Sequence, residues 1–214
     1  MEEAKARLWL EQELGVPRET MERLGAFVEL LRRENEVQNL VSKITLDQIW
    51  TRHIVDSAQL LRLASGEGPR WLDLGTGAGF PGLVIALLYG GEVTMVEARR
   101  LRVDFLSRAA QVLQLQPSTQ ILCAKVERLE EVSFGVISAR AFAPLDRLLS
   151  LGERFASPET RWVLPKGRNA KSELEDARAS WQGDFRLEQS LTDPDAWIIV
   201  AENVRRRVKG KRGK

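Results

Sequence analysis

The sequence predicts an α/β fold: a doubly wound, Rossmann-like sheet of seven strands with an N-terminal helical cap. From residue 70 onward, short apolar runs alternate with stretches of helical spacing, which is typical of a parallel sheet covered by helices on both faces. The last two apolar runs follow each other without a helix between them, which predicts an antiparallel pair at one edge. Residues 1–64 show only helical spacing.

The helical cap is predicted from the spacing of apolar side chains. They recur every three or four residues from Met21 to Leu31, and a second stretch with one apolar side covers Thr45 to Leu63. The breaker-rich link Ser65–Pro69 follows, so residues 1–64 are expected to form a cap that packs on the core. Residues 65–204 are expected to form that core.

The core alternates predicted strands and helices in chain order. Strands are expected at Trp71–Leu74, Val93–Glu97, Gln120–Ala124, Gly135–Ser138, Arg161–Leu164, Phe185–Leu191 and Trp197–Glu202. Helices are expected at Pro81–Tyr89, Arg99–Leu115, Leu145–Phe155 and Asn169–Trp181. Alternating units that end in a hairpin indicate the seven-strand sheet of class I methyltransferases.

Composition excludes several classes of protein. A single cysteine excludes an intrachain disulfide, and a single histidine leaves no Cys/His cluster of the kind that binds zinc, so no metal is expected. The N-terminus lacks the pattern of a signal peptide, and no apolar run is long enough to span a bilayer. We therefore expect a soluble, cytoplasmic protein with no membrane partner, and nothing in the sequence requires more than a monomer.

Charge is distributed unevenly along the chain. Seven of the 32 Lys and Arg residues lie at 205–214, so the rest of the chain carries a small excess of acidic residues. A basic tail of this kind is expected of an arm that contacts RNA phosphates. The candidate contacts are Arg205, Arg206, Arg207 and Lys209. A solubilising tail is the alternative interpretation.

The strongest local signal is the motif WLDLGTGAGFPG, in which an apolar strand enters a glycine-rich turn and a helix begins. Glycine permits positive φ and lets a ligand approach the backbone. The glycines are Gly75, Gly77 and Gly79, and Phe80 occupies the position of the third glycine of a dinucleotide-binding turn. Asp73 would repel a pyrophosphate but suits the positively charged amino-acid end of S-adenosylmethionine. This cofactor is therefore favoured over NAD.

Two later strand ends predict further contacts with an adenosine ligand. Glu97 ends the second strand 22 residues after the first glycine of the turn, where a doubly wound fold places an acid that binds ribose hydroxyls. Ala98 and Arg99 lie beside it. Val126 and Glu127 follow the third strand, where backbone amides and an acid can meet the adenine edge. An exposed strand-end carboxylate is the alternative interpretation of Glu97.

The fourth strand ends in SARAFAPL, at the crevice where sheets of this type bind ligands. The Asn/Asp-Pro-Pro-Tyr run of many exocyclic-amine methyltransferases is absent, and Cys123 lacks the proline-cysteine context of pyrimidine-C5 enzymes. Guanine N7 has a free in-plane lone pair, so its methylation needs alignment more than a base. Arg140 is expected to anchor the cofactor carboxylate, a phosphate or the acceptor guanine. A structural salt bridge is the alternative.

These motifs resemble the bacterial 16S rRNA guanine-N7 methyltransferase family RsmG, also called GidB. The similarity runs from Asn39 to about Gly167 and includes the segments NLVS, RHIVDS, LDLGTGAGFPG, RVDFL, SARAF and PKG. It implies methyl transfer from S-adenosylmethionine to N7 of a guanine in the decoding-region loop of small-subunit RNA. The implied partner is 16S rRNA or the small ribosomal subunit. One departure is Ala139 before Arg140, where the family commonly has serine.

The resemblance also implies roles for individual residues. Cofactor contacts are implied at Gly75, Phe80, Val126, Glu127 and Arg140, with Glu97–Arg99 near the ribose. His53 lies on the apolar side of a predicted helix, where a hydrogen-bonded core residue is the leading interpretation. The RHIVDS match adds a role in orienting the site, together with Arg52 and Asp56. Lys166 is a candidate phosphate contact, and a solvated charged face explains it equally well.

Three other functions are compatible with parts of the sequence. A small-molecule methyltransferase with the same cofactor is favoured by the acidic body of the chain. A non-catalytic RNA-binding module with a vestigial pocket is a second alternative. A dehydrogenase is disfavoured by Phe80 and Asp73.

Overall fold

A computed structural model describes residues 1–64 and 70–207, so the predicted link at Ser65–Pro69 and the candidate RNA contact Lys209 lie outside the described residues. Helices come first along the chain and a seven-stranded sheet follows. The sheet confirms the predicted α/β class. No helix within the described ranges is long and apolar enough to cross a membrane.

The sheet has the strand order β3-β2-β1-β4-β5-β7-β6. The strands are β1 at Trp71–Leu74, β2 at Val93–Glu97, β3 at Thr119–Cys123, β4 at Val136–Ser138, β5 at Arg161–Lys166, β6 at Trp181–Gln189 and β7 at Trp197–Arg206. The first five strands are parallel, and β7 pairs antiparallel with both β5 and β6. The predicted antiparallel pair therefore lies at one edge of the sheet, as expected. The strand order runs outward from β1 to β3 on one side and from β4 to β5 on the other. This reversal between the neighbours β1 and β4 creates a crevice at their carboxyl ends.

Helices cover both faces of the sheet. Those that follow β1 are α5 at Gly82–Tyr89, α6 at Arg100–Val112, α7 at Leu145–Gly152 and α8 at Ala170–Ala177. Side chains alternate between two apolar clusters along a strand, so Trp71 joins the cluster that contains α5 and α6, and Leu72 joins the cluster that contains α7 and α8. Burial on both faces explains why the parallel strands are continuous apolar runs in the sequence.

The N-terminal helices pack on the α5 and α6 side of the sheet. They are α1 at Glu3–Glu13, α2 at Arg18–Gln38, α3 at Lys43–Asp47 and α4 at Asp56–Ala58. The stretch predicted as one helix over Thr45–Leu63 is helical but irregular, because a π-helical segment at Trp50–Val55 precedes α4 and a 3₁₀ turn at Gln59–Arg62 follows it. Such π segments are frequent at functional sites.

Two predictions near the C-terminus need correction. The helix expected to reach Trp181 ends at Ala177, and Trp181 begins β6 with its side chain buried. The basic tail expected from residue 205 begins inside the sheet, since β7 extends to Arg206 and pairs with the start of β6. Both differences have one cause: the edge hairpin is longer than its apolar residues indicate, because an edge strand tolerates polar side chains on its exposed face.

Candidate active site

The glycine turn at residues 75–79 follows β1 directly. Gly75, Gly77 and Gly79 all have positive φ, at 69°, 62° and 92°. A Cβ on Gly75 would overlap the ring of Phe142, and a Cβ on Gly79 would overlap Leu83. Both the backbone conformation and the close packing therefore require glycine.

Asp73 holds this turn in place from inside the protein. The carboxylate is fully buried. Its Oδ2 accepts a hydrogen bond from the backbone N–H of Gly82 at 3.0 Å, and its Oδ1 accepts one from Ser138 Oγ at 2.8 Å. Burial raises the pKa of Asp73 to about 6. Asp73 therefore ties β1 to α5 and β4. Its contact with the amino-acid end of the cofactor, directly or through water, stays a prediction.

A cavity of about 510 Å³, called here the first cavity, opens at the carboxyl ends of β1, β2 and β3. Its volume is in the range of small-molecule sites. Six predicted cofactor contacts line it: Gly75, Glu97, Ala98, Arg99, Val126 and Glu127. The sequence motifs that predicted an adenosine site therefore converge on one cavity.

Glu97 is the buried one of the two carboxylates that line the first cavity, and Glu127 is exposed. The side chain of Glu97 is 8% exposed, and its two oxygens accept hydrogen bonds from the backbone N–H groups of Gly77 at 3.2 Å and Arg99 at 2.8 Å. The guanidinium of Arg102 lies 3.7 Å from Oε2. A carboxylate has about four lone-pair positions, so Glu97 keeps capacity to accept further hydrogen bonds from hydroxyl groups. Gly77 acts here through its backbone and does not line the cavity.

Phe80 does not reach the first cavity. Its ring is buried, 5.6 Å from the ring of Phe27 and 4.8 Å from that of His53. The Arg140 guanidinium lies 5.1 Å from the centre of the Phe80 ring, in cation–π range. The Phe80 ring therefore joins the cap to the core, and the cofactor contact at Phe80 stays a prediction.

Arg140 lies where β4, the π-helical segment and the core meet. Its Nη1 donates to Asp56 Oδ2 and to the backbone oxygen of Arg52, both at 3.2 Å, and its Nη2 lies 2.9 Å from His53 Nδ1. Burial lowers the pKa of Arg140, and the carboxylate of Asp56 opposes that shift. These contacts fix the guanidinium in one position. The next residue, Ala141, turns the chain with a φ of 50°, an unusual conformation for a residue with a side chain.

His53 is buried and contacts Arg140 through Nδ1, while its Nε2 has no hydrogen-bond partner among the described residues. Its role in orienting the site stays a prediction. Burial, followed by the positive charge of Arg140, lowers the pKa of His53 to about 3. The ring is therefore neutral at physiological pH. Because the guanidinium can only donate, Nδ1 is the acceptor and Nε2 carries the proton.

A second cavity of about 640 Å³ lies beside the first. The segment Ala141–Pro144 lines both cavities and forms the partition between them. The opposite walls of the second cavity come from the cap, from the ends of β5 and β7, and from the connection between β6 and β7. Arg140 lines this second cavity and not the first. The predicted catalytic arginine is thus placed on the far side of the partition from the glycine turn.

Comparison with known proteins identifies the family. The family model of rRNA small subunit methyltransferase G, GidB, matches residues 20–193. The chain belongs to this family. It is 50% identical over 212 residues to the ribosomal RNA small subunit methyltransferase G of Zymomonas mobilis, with 95% of each chain covered. The protein of the same name from Rhizorhabdus wittichii is 51% identical over 216 residues, with 100% of this chain and 99% of the relative covered.

Solved structures agree on the fold. A mutant of MtNAS in complex with S-adenosylmethionine superposes with a TM-score of 0.58 at 17% identity, covering 91% of this chain and 79% of that one. A TehB-like SAM-dependent methyltransferase from Corynebacterium glutamicum has a TM-score of 0.54 at 17% identity, with 82% and 98% covered. At these identities the likeness shows the fold alone, and it confirms the class I methyltransferase sheet.

The predicted RNA contacts of this family member are mostly paired within the protein. Lys166 is 9% exposed, and its Nζ donates to the backbone oxygen of Ala143 and to Glu173, both at 2.8 Å. It supports the partition and is not free for a phosphate. Arg206 forms an ion pair with Glu153.

Arg205 and Arg207 remain exposed at the end of the hairpin. Arg205 lies in β7 opposite Gln182 of β6, and Arg207 donates from Nε to the backbone oxygen of Trp181 at 3.1 Å. Their positions leave guanidinium groups on the surface where the basic segment begins. Among the described residues at this end of the chain, these two are the candidates for RNA contacts, and Lys209 lies outside the described residues.

Several residues of the site were not predicted individually. Phe142 lies within the SARAFAPL motif, yet its position between two cavities depends on the turn at Ala141. Thr192 donates to Asp56 at 2.8 Å and Asp193 pairs with Arg52 at 2.6 Å, and both come from the connection between β6 and β7. The turn composition of TDPD marks a loop, but no spacing in the sequence links it to the cap.

Proposed function

We propose that this protein transfers a methyl group from S-adenosylmethionine to N7 of a guanine in the decoding-region loop of bacterial 16S rRNA. The observation that carries this proposal is the convergence of the glycine turn, Glu97 and the segment Val126–Glu127 on one cavity in a member of the small-subunit rRNA methyltransferase G family. The second cavity, across a four-residue partition, provides room for an acceptor beside the methyl donor.

The first cavity has the chemistry that S-adenosylmethionine requires. A side chain at Gly75 would overlap the ring of Phe142, which lines the cavity, and Glu97 presents a carboxylate suited to two ribose hydroxyls. Val126 and Glu127 would meet the adenine edge, with Ala98 and Arg99 beside the ribose. Gly77 holds Glu97 in position through its backbone N–H. When bound, the cofactor supplies an electrophilic methyl group.

Arg140 is the residue proposed to act directly in catalysis. Three of its contacts are fixed by Asp56, His53 and Arg52, so the guanidinium is preorganised at the edge of the second cavity. From there it would bind the cofactor carboxylate or the acceptor guanine. Guanine N7 carries no proton, so the site needs no general base and can act by alignment and exclusion of water. Asp73 and Phe80 contribute by shaping the turn and the cap interface.

The proposed partner is 16S rRNA or the small ribosomal subunit, bound by a monomer in the cytoplasm. Arg205 and Arg207, at the opposite end of β7 from the second cavity, and the basic residues after them are proposed to contact RNA phosphates away from the target guanine. Lys166 and Arg206 are less suited to this role because acidic neighbours already pair with them.

The deciding experiment measures transfer of tritiated methyl from S-adenosylmethionine to small-subunit particles and to naked 16S rRNA from a strain that lacks the modification. Nucleoside mass spectrometry then identifies the product. Label in 7-methylguanosine is the expected result, and the better of the two substrates identifies the RNA state that the enzyme recognises. Cofactor binding without any label in RNA would overturn the proposal and favour a small-molecule acceptor.

A further inference from the structure

The second cavity combines a flat aromatic wall with balanced charge. Trp197 lines it at the first position of β7, opposite Lys166 at the end of β5. The indole is only partly buried, and the Nζ of Lys171 lies 4.6 Å from the centre of its ring. Lys171 does not line the cavity, so it holds the indole from outside. The ring is thereby fixed at the carboxyl edge of the sheet, where folds of this class bind ligands.

The charges around this cavity cancel in pairs. Arg52 pairs with Asp193 at 2.6 Å, Arg140 with Asp56 at 3.2 Å and Lys166 with Glu173 at 2.8 Å, and all six residues line the cavity. A site built for a phosphate would present unpaired cations or clustered backbone N–H groups. Paired charges beside an aromatic ring instead suit a neutral, flat group with polar edges.

A nucleobase has these properties. Sequence-specific RNA recognition commonly turns a base out of its stack and places it on an aromatic side chain. Enzymes that modify a base inside structured nucleic acid often extrude it into a pocket of this kind. The hydroxyl groups of Ser42 and Thr45, on the cap side of the cavity, lie 2.9 Å from each other, and their remaining lone pairs can accept hydrogen bonds from the polar edge of the base. The volume of about 640 Å³ is in the range of pockets that enclose small ligands.

We propose that the second cavity binds the acceptor purine of the RNA after its extrusion, with Trp197 as the stacking surface. This inference rests on the proposed function, since it names where that reaction takes its acceptor. The partition Ala141–Pro144 then separates the base from the adenosine half of the cofactor and leaves the two ligands in contact at its edge. Phosphates of the RNA remain outside this cavity.

The kinetic test uses Trp197→Ala with small-subunit particles as substrate. Loss of base stacking is expected to raise KM for the RNA about 5- to 150-fold. The affinity for S-adenosylmethionine and kcat at saturating RNA should stay unchanged, because Trp197 does not line the first cavity. Trp197→Phe keeps a flat ring and should recover most of the RNA affinity. Leu191→Ala is the matched control, since Leu191 is exposed in the connection that precedes β7 and lines neither cavity.

A binding test that needs no methyl transfer separates this inference from the proposed function. The protein has six tryptophans, and Trp197→Phe assigns the Trp197 indole N–H resonance in a ¹⁵N spectrum. Guanosine 5′-monophosphate, added with S-adenosylhomocysteine, should shift that resonance saturably. The indole N–H of Trp181, which donates to Asp146 at 2.9 Å, should stay in place and serve as the reference.

Each outcome has a definite meaning. A shifted Trp197 resonance together with the raised KM supports the assignment. A shift in a wild-type protein that methylates no RNA would keep the nucleotide site and overturn the proposed function alone. An unshifted resonance, or a KM that Trp197→Ala leaves unchanged, would overturn the stacking role of Trp197. Thermal unfolding of both variants shows whether a loss of affinity is a loss of fold.

Discussion

The single histidine makes a specific prediction about stability and pH. His53 is neutral and buried, and its pKa in the folded protein is about 3, against an ordinary value of 6.5. Between pH 6.5 and pH 3, His53 is therefore protonated in the unfolded chain and neutral in the folded protein. The folded state loses stability as pH falls from 6.5 towards 3, and this contribution is absent above 6.5.

Asp73 acts in the opposite direction. Burial raises its folded pKa to about 6, so between pH 6 and its ordinary value of 3.8 the folded protein holds a proton that the unfolded chain has released. This contribution increases stability as pH falls and masks part of the effect of His53 in the wild-type protein. A comparison between two proteins that share Asp73 removes it.

The comparison is between wild type and His53→Asn. The asparagine oxygen can accept the hydrogen bond from Arg140 that His53 Nδ1 accepts, but it does not titrate. Each pH unit below 6.5 should cost the wild type about 1.4 kcal/mol relative to the variant, or about 3 kcal/mol at pH 4.5.

Urea unfolding at pH 7.5, 6.5, 5.5 and 4.5 measures this difference. The carbon-bound ring protons of His53 report its native pKa directly by NMR, since no other histidine is present. Parallel stability curves for the two proteins, or a native pKa near 6.5, would refute the argument.

The remaining predictions concern the turn, the arginine and the tail. Gly75→Ala should weaken S-adenosylmethionine binding at least about tenfold by calorimetry, because a left-handed residue with a Cβ costs about 1–2 kcal/mol and displaces the partition. Gly167→Ala, where a Cβ meets nothing within 4 Å, should bind normally, and equal losses in both would contradict the assignment. Asp56→Asn removes the carboxylate 3.2 Å from Arg140 and should lower the free energy of unfolding in urea by about 1–3 kcal/mol. An unchanged free energy of unfolding would show that this ion pair does not stabilise the fold. Deletion of residues 208–214 removes four Lys and Arg residues and should flatten the salt dependence of log KM for RNA by about three units, whereas an unchanged slope would indicate that the tail makes no phosphate contact.

The sequence by itself determined the fold class and the location of the first cavity. Buried parallel strands must be apolar on both faces, so β1, β2 and β4 can be recognised as short apolar runs. The glycine turn and Glu97 follow from local rules, because a left-handed backbone needs glycine and strand ends of a doubly wound sheet meet at one edge. The burial pattern of a strand and the conformation of a turn both depend on residues that are adjacent in the chain, so the sequence alone can predict them.

Only the tertiary structure decided which charged groups are available. Lys166 and Arg206 look like phosphate contacts in the sequence, and Glu173 and Glu153 pair with them in the fold. Asp73 looks like a ligand contact and is enclosed beneath the turn. The sequence does not distinguish a free charged side chain from a paired one, because the partner is whichever opposite charge the fold brings close to it.

The cluster around Arg140 shows the same limit over longer separations. His53 and Asp56 precede Arg140 by 87 and 84 residues, and Thr192 binds Asp56 from 136 residues further along the chain. Three segments meet there because the cap packs on the sheet and the β6–β7 connection folds back over it. These contacts depend on how separate elements pack against one another. The spacing of residues along the sequence predicts each element by itself, and it does not predict which elements come into contact.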